Sequence, residues 1–280
     1  MIKISTILAA GLIALGLAAP AGAQEHETVQ IQREPWSFAG IFGKYDEHQL
    51  QRGFQVFREV CSSCHGAKLL AFRNLSEEGG PSFSEEQVKA LAAEYTIADP
   101  EAPEGSRAGL PSDRWPGTGQ TEADQIAAFG IVPPDLSVMA KARSISSPFP
   151  QWVFNYFTTY SEGGVDYLHA LLLGYEDTPP EGAEIPDGKF YNHVFPGHAI
   201  GMPPPLSDGQ VAYVNEDGSE VPAEMMTVDQ YSRDVSAFLM WVAEPHLNAQ
   251  KAAGFRVMTF LLLFAVLMWF VKQRLWRKVH

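Results

Sequence analysis

Cys61-Ser62-Ser63-Cys64-His65 is the stretch of this chain whose residue types and spacing could do chemistry. Two thiols three positions apart match the two thioether links of one porphyrin, and the histidine directly after the second thiol can place an imidazole under the iron. C-x-x-C-H is thus the pattern for one covalently bound c-type haem. A plainer reading stands beside it. Cys61 and Cys64 are the only two cysteines, so an oxidising compartment could join them as a disulfide. A redox C-x-x-C ordinarily belongs to a thioredoxin-like βαβ unit, whereas here the motif ends a helical pattern and no βαβ rhythm follows.

An iron bound from one side is either closed by a second axial ligand or open to substrate. Of the eight methionines, Met139 and Met240 fall in helical patterns, where methionine usually fills core, and Met258 and Met268 lie in a long apolar run. Met202 differs. Gly201 permits a close backbone approach, and Pro203, Pro204 and Pro205 stiffen the chain beside it. A stiff loop presenting one thioether suits the His/Met ligation of cytochromes c. His193 and His198, in the same Phe190–Leu206 stretch, would give a bis-histidine iron instead, or are simply surface residues.

Several elements must position these groups. Asp46 and Gln49 form an N-cap pair of capping-box type, opening a helix from Glu47 to about Val60 with Leu50, Phe54 and Phe57 on one face. That helix delivers Cys61. Ser84 and Gln87 cap a short helix that turns Val88, Leu91 and Tyr95 inward. Thr227 and Gln230 open a third, with Tyr231, Val235, Phe238 and Val242 in one stripe and Pro245 as its stop; it is the natural partner of the first. Pro133 and Pro134 hold the chain extended before a short helix containing Val138, Met139, Lys141 and Arg143, with Asp135 as its N-cap. Tyr167–Leu173 is an apolar run that stops at Gly174. Trp36, Phe38, Ile41 and Phe42 look like a covering strip, Ala98 to Thr121 reads as loop, and Ser144 to Gly164 has no assignable task.

Both ends are committed elsewhere. Residues 1–23 have the layout of a cleaved signal peptide: Lys3, an apolar run from Ile4 to Leu17, and Ala21-Gly22-Ala23. Residues 252–271 carry no charge except Arg256 and are long enough to cross a bilayer as a helix. The basic tail 272–280 follows, with Lys272, Arg274, Arg277 and Lys278, and Trp269 and Trp276 sit at interfacial depth; this is a positive-inside arrangement with an aromatic belt. Residues 24–251 are then an exported domain in the periplasm, joined to the membrane by a short polar link, His246 to Lys251. Setting aside Lys3 and the four basic tail residues turns the whole-chain charge of −13 into −18 for 24–271. Such acidity either aids solubility or steers a basic partner, and Glu77 to Arg107 is its densest stretch. Nucleic acid is not an expected partner.

The motifs in order resemble the cytochrome c1 family, the haem subunits of the ubiquinol–cytochrome c reductase (cytochrome bc1) complex. The resemblance is carried by Arg52-Gly53-Phe54-Gln55-Val56-Phe57 leading into Cys61–His65, by Pro133-Pro134-Asp135-Leu136-Ser137, by Gly201-Met202-Pro203-Pro204-Pro205-Leu206, and by Asp234–Trp241 with Ala243-Glu244-Pro245 before the anchor. It covers about Trp36 to the C-terminus. It implies a mainly α fold: a c-type cytochrome haem domain with long loop insertions plus one C-terminal transmembrane helix. It further implies thioethers at Cys61 and Cys64, axial ligands His65 and Met202, Arg143 reaching a haem propionate, and Pro134 as a further haem-binding residue. Ser144 to Glu162 looks longer than its counterpart in mitochondrial members. The extra cysteine pair of some bacterial relatives has no equivalent here, so packing and proline must keep the Met202 side rigid.

The expected function is electron transfer in a quinol-oxidising respiratory or photosynthetic chain of the bacterial inner membrane. The expected partners are cytochrome b, the Rieske iron–sulfur subunit, a soluble or membrane-tethered cytochrome c, and membrane lipid. The expected enzyme class is that of the reductase complex, with no separate turnover site on this chain. A haem peroxidase or reductase with an open iron, and a free-standing carrier or sensor, are the rival readings.

Overall fold

Four helices begin on a side-chain cap in the computed structural model, which describes residues 29–214 and 221–277. The signal segment 1–23 and Lys278 of the basic tail lie outside the described residues. In chain order come α1 (Glu47–Glu59), α2 (Glu85–Ala93), β1 (Thr96–Ala98), β2 (Ser106–Ala108), α3 (Glu122–Phe129), α4 (Met139–Ala142), α5 (Gln151–Thr158), α6 (Gly163–Leu173), β3 (Phe190–Tyr191), β4 (Ala199–Ile200), α7 (Val228–Ala243) and α8 (Leu247–Trp276). Short 3-10 turns occupy Cys61–Ser63, Phe72–Ser76 and Ala223–Met225. Each strand pair is a small antiparallel hairpin, with Thr96 opposite Ala108 and Phe190 opposite Ile200. The fold is mainly α, as expected. The hairpin β1–β2 is an addition inside and just before the stretch read as loop.

The core is the crossing of α1 and α7. Leu50, Phe54, Val56 and Phe57 bury one face of α1 against Tyr231, Val235, Phe238 and Trp241 of α7. Gly53 sets the approach: a Cβ there would stand 2.1 Å from the Asp234 carbonyl oxygen and 2.7 Å from Phe238 Cβ. Trp115 extends the cluster, with ring centroids 5.2 Å from Phe57, 5.4 Å from Phe72 and 4.9 Å from Tyr95.

A fully buried carboxylate, Asp234, fastens the same crossing. It accepts from Arg52 Nε at 2.8 Å, Gln230 Nε2 at 2.9 Å, the Tyr213 hydroxyl at 3.1 Å and Gln49 Nε2 at 3.3 Å. This corrects the two capping boxes. Asp46 and Thr227 do accept the amides of Gln49 and Gln230, but both glutamine side chains turn to Asp234, because a buried charge needs donors more than an exposed helix start does. Only the Ser84–Gln87 box closes as read.

The helix that carries the apolar run begins before it. His246 to Lys251 is not a separate link: Leu247 starts α8, a single helix of 30 residues. At 1.5 Å per residue it is about 45 Å long, against about 30 Å for a hydrocarbon core, with a mean hydropathy of 2.1 over its most apolar window. It is long and apolar enough to cross a membrane. Its first turns are held by the covering strip. Asn248 Oδ1 accepts the Tyr45 amide at 3.2 Å, Lys251 Nζ donates to the Phe38 carbonyl, and the rings of Phe42 and Phe255 lie 5.5 Å apart. The Tyr45 hydroxyl donates to the carbonyls of Glu244 and Met240, joining the end of α7 to the same strip.

Gly53→Ala should force α1 from α7. A destabilisation of at least about 1–3 kcal/mol is expected for such overpacking, read as a lowered midpoint of thermal unfolding in detergent.

Candidate functional site

The turn Cys61–Ser63 follows α1 directly and brings the motif's three reactive side chains within one helical turn. Both the Cys64 and His65 amides donate to the Cys61 carbonyl, at 3.2 and 2.9 Å. Cys61 and Cys64 are not joined to each other as a disulfide. Burial pushes the Cys61 thiol up to about 12, with neighbouring Cys64 adding to the shift.

His65 is fixed by one bond. Its Nδ1 lies 2.8 Å from the Pro134 carbonyl oxygen, and since that oxygen can only accept, Nδ1 carries the hydrogen. The Nε2 lone pair is thereby left for another partner. Burial lowers the imidazole's pKa, against the opposing pull of the Pro134 bond and of Asp135. The neutral ring is the form that can bind a metal.

The bond belongs to a longer zip. Leu136 N donates to the Gly66 carbonyl at 2.8 Å, Lys68 N to Asp135 Oδ2 at 2.9 Å, and Leu69 N to Ser137 Oγ at 3.0 Å. Asp135 is therefore not the N-cap of α4. That place falls to Val138, which supplies no side-chain cap, because the carboxylate is taken by Lys68 and by its own Asx turn to Ser137 N at 3.0 Å.

Met202 lies beyond β4 on the loop predicted to be stiff. The Tyr175 hydroxyl donates to the Met202 carbonyl at 3.0 Å, and a Cβ on Gly201 would stand 3.5 Å from Ile131 Cγ2. Gly201 thus lies beside Ile131, three residues before the Pro134 whose carbonyl holds His65. Buried Asn192 ties the hairpin to α6, donating to the Leu171 carbonyl at 2.8 Å and accepting the Val194 and Phe195 amides. Of the rival histidines, His193 Nδ1 sits 3.0 Å from Glu176 Oε1 on the surface. His198 occupies a left-handed turn position at φ 58° with its ring tilted against Tyr191.

Arg143 caps the end of α4. Its Nη1 donates to the Ala142 carbonyl at 3.1 Å, and its charge acts on the Tyr167 hydroxyl. Gly164 makes this placement: a Cβ there would meet the Ala140 carbonyl oxygen at 1.8 Å. Tyr175, Asn192 and Gly164 were not singled out from sequence; the Tyr that follows the Gly174 stop was the available signal. Among the described residues, no three His, Cys, Asp or Glu side chains converge as a site for a bare metal ion. A porphyrin iron asks the protein for only two axial ligands, and a free Nε2 beside two free thiols fits such a group. A cleft of about 370 Å³ between α1 and α2 includes none of Cys61, Cys64, His65 or Met202.

The Cytochrome C1 family profile matches residues 36–279. The chain belongs to the cytochrome c1 family. It is 46% identical to the cytochrome c1 of Blastochloris viridis over 99% of this chain and 98% of that one. It is 50% identical to the cytochrome b/c1 of Bradyrhizobium diazoefficiens over 98% of this chain, which spans only 39% of that longer protein. A mitochondrial relative, the cytochrome c1-2 heme protein of Solanum tuberosum, is 41% identical over 86% of this chain and 84% of its own. As a cytochrome c1 family member the chain is a haem c protein, and Cys61 and Cys64 fit the attachment motif.

Two outcomes follow from the geometry around these residues. Burial disfavours the Asp135 charge, but bonds from Ser137 and Lys68 outweigh it, so its pKa lies below the usual carboxylate value. Its contribution to stability is therefore full above about pH 4 and is lost as pH falls through the lower folded value. Asp135→Asn should remove that share of the acid sensitivity, seen as a smaller change in melting temperature between pH 6 and pH 3 than in the wild type, the two pH values being chosen to lie on either side of about 4. Tyr175→Phe should loosen the Met202 loop by about 1 kcal/mol, read as faster amide hydrogen exchange near 200–202.

Proposed function

We propose that this chain takes single electrons from a Rieske iron–sulfur protein and passes them to a soluble or membrane-tethered cytochrome c. As a cytochrome c1 family member it is the haem-carrying subunit of the bc1 complex, a redox complex of the oxidoreductase class. Cytochrome b and the iron–sulfur subunit are its neighbours in that assembly, in a respiratory or photosynthetic chain.

The observation that carries the reading is the bond from His65 Nδ1 to the Pro134 carbonyl. It holds a neutral imidazole in the tautomer an axial ligand requires, as the outer partners of metal-bound histidines generally do. Haem c supplies reversible one-electron redox chemistry when bound. Cys61 and Cys64 would tether it, and His65 and Met202 would hold its iron. Arg143, which uses only Nη1 on the Ala142 carbonyl, would pair its planar guanidinium with a propionate carboxylate. With both axial places filled by protein, the chain has no substrate-turnover site of its own, and proton transfer by its side chains is not required.

The head, 24–251, faces the periplasm after loss of 1–23; 252–271 crosses the membrane and 272–280 is cytoplasmic, with the basic tail on the cytoplasmic side. The acidic head suits a basic electron acceptor, with part of its charge already spent internally. Asp99 and Asp113 clamp Arg107, which holds the Asp113 carboxyl down to about 2, and Glu94 pairs with Arg58. Glu85 and Glu86, exposed in the first turn of α2, remain for docking.

Met202→Leu is the test. The near-infrared thioether–iron band should vanish, the haem potential should fall, and carbon monoxide, excluded from the wild type, should bind one per haem. An unchanged band and potential would remove Met202 from the ligand set.

A further inference from the structure

Residues 144–161 carry no charged side chain, in a head whose remaining surface is strongly acidic. Within this stretch α5 buries almost nothing. Phe149, Tyr156 and Phe157 are each 78% exposed, and Trp152 and Phe154 about half exposed. Five large aromatic rings set among Ser, Thr, Asn and Gln do not have the composition of a water-facing helix, which would place charges between them. Nor is α5 a core helix, since its rings point outward on several sides. Trp, Tyr and Phe mixed with uncharged polar groups is the composition of the layer between lipid headgroups and acyl chains.

The position of α5 in the head points the same way. Its Asn155 Oδ1 accepts from Arg33 at 2.9 Å, at the start of the strip that runs through Trp36 and Phe38 to the base of the anchor. Glu162, four residues beyond α5, is buried and acts electrostatically on both Tyr45 of the strip and Lys251 in the first turns of α8. Phe42, itself 74% exposed, continues the aromatic surface onto the anchor through its contact with Phe255. The patch is thus linked, through Arg33 and the strip that follows it, to the base of the helix that enters the bilayer. An anionic membrane surface would repel the acidic head, and an exposed stretch with no charged side chain from 144 to 161 relieves that repulsion where it rests.

We propose that α5 and its flanks form a second, interfacial membrane contact, which rests in the headgroup layer beside α8 and sets the tilt of the head on its anchor. It rests on the membrane placement of α8, independently of the iron ligands.

Cys61 and Cys64 are the only cysteines of this chain, and haem attachment consumes both thiols, so a single introduced cysteine is the one site on this chain that carries a nitroxide label, the unsubstituted complex serving as the background spectrum. Phe157→Cys, with Leu262→Cys in the anchor and Glu86→Cys on α2 as references, would be labelled in the haem-loaded complex reconstituted into phosphatidylcholine–phosphatidylglycerol vesicles. Relaxation by molecular oxygen should exceed relaxation by a water-soluble nickel chelate at 157, as at 262, with the reverse at 86. A label at 157 that follows the water reference would overturn the proposal. So would one shielded from both reagents, since that pattern means another protein covers the patch. A label at 262 that does not face lipid would instead contradict the placement of α8 and the proposal with it.

Discussion

The hydrogen bond from His65 to the Pro134 carbonyl organises this molecule. Proline has no amide hydrogen and a carbonyl cannot donate, so the partner dictates both the tautomer and the direction of the ring. A single bond of this kind contributes little on its own. Its strength comes from the zip beneath it, where Gly66, Lys68 and Leu69 pair with Leu136, Asp135 and Ser137 and keep the extended Pro133-Pro134 strand in register. The same extended segment passes beside Gly201 at Ile131, where an added Cβ would stand 3.5 Å from the Ile131 side chain. It therefore holds His65 at one end and lies beside the neighbour of Met202 at the other.

Holding that segment requires the head to be stiff and the anchor to be coupled to it. Gly53 and buried Asp234 lock α1 to α7, so the helix that delivers Cys61 cannot slide on the helix that leads toward the membrane. Tyr45, Phe38 and Asn248 then tie the end of α7 and the first turns of α8 to one strip. With no second cysteine pair to brace the Met202 side, Tyr175 and Asn192 supply the bracing through bonds to backbone atoms. Electron transfer falls steeply with separation, so a rigid path from motif to anchor is of direct functional use.

Local signals in the sequence were legible and distant ones were not. The caps at Asp46, Ser84 and Thr227 and the stop at Gly174 all depend on neighbours within a few residues, and each is present. The Thr121–Asp124 box that starts α3 was equally legible and went unread. Asp135 shows why the remainder was hidden. A short acid before a helix reads as a cap, yet the same side chain can close an Asx turn, and only the Lys68 amide, brought in by tertiary structure, decides between them. Gly164 and Gly53 are read as permissive residues until the backbone that presses on each is known. The helix α5 escaped because its rings follow no one-sided period, which is also why it invites a partner of its own.

We propose that a neutral His65 and the thioether of Met202 close the haem iron from both sides. Near-infrared magnetic circular dichroism of the oxidised wild-type complex reads this ligand pair, because the ligand-to-iron charge-transfer energy differs between axial pairs. A low-spin histidine–methionine signature is expected for the cytochrome c1 haem. A bis-histidine position for that band, or a high-spin spectrum, would contradict it.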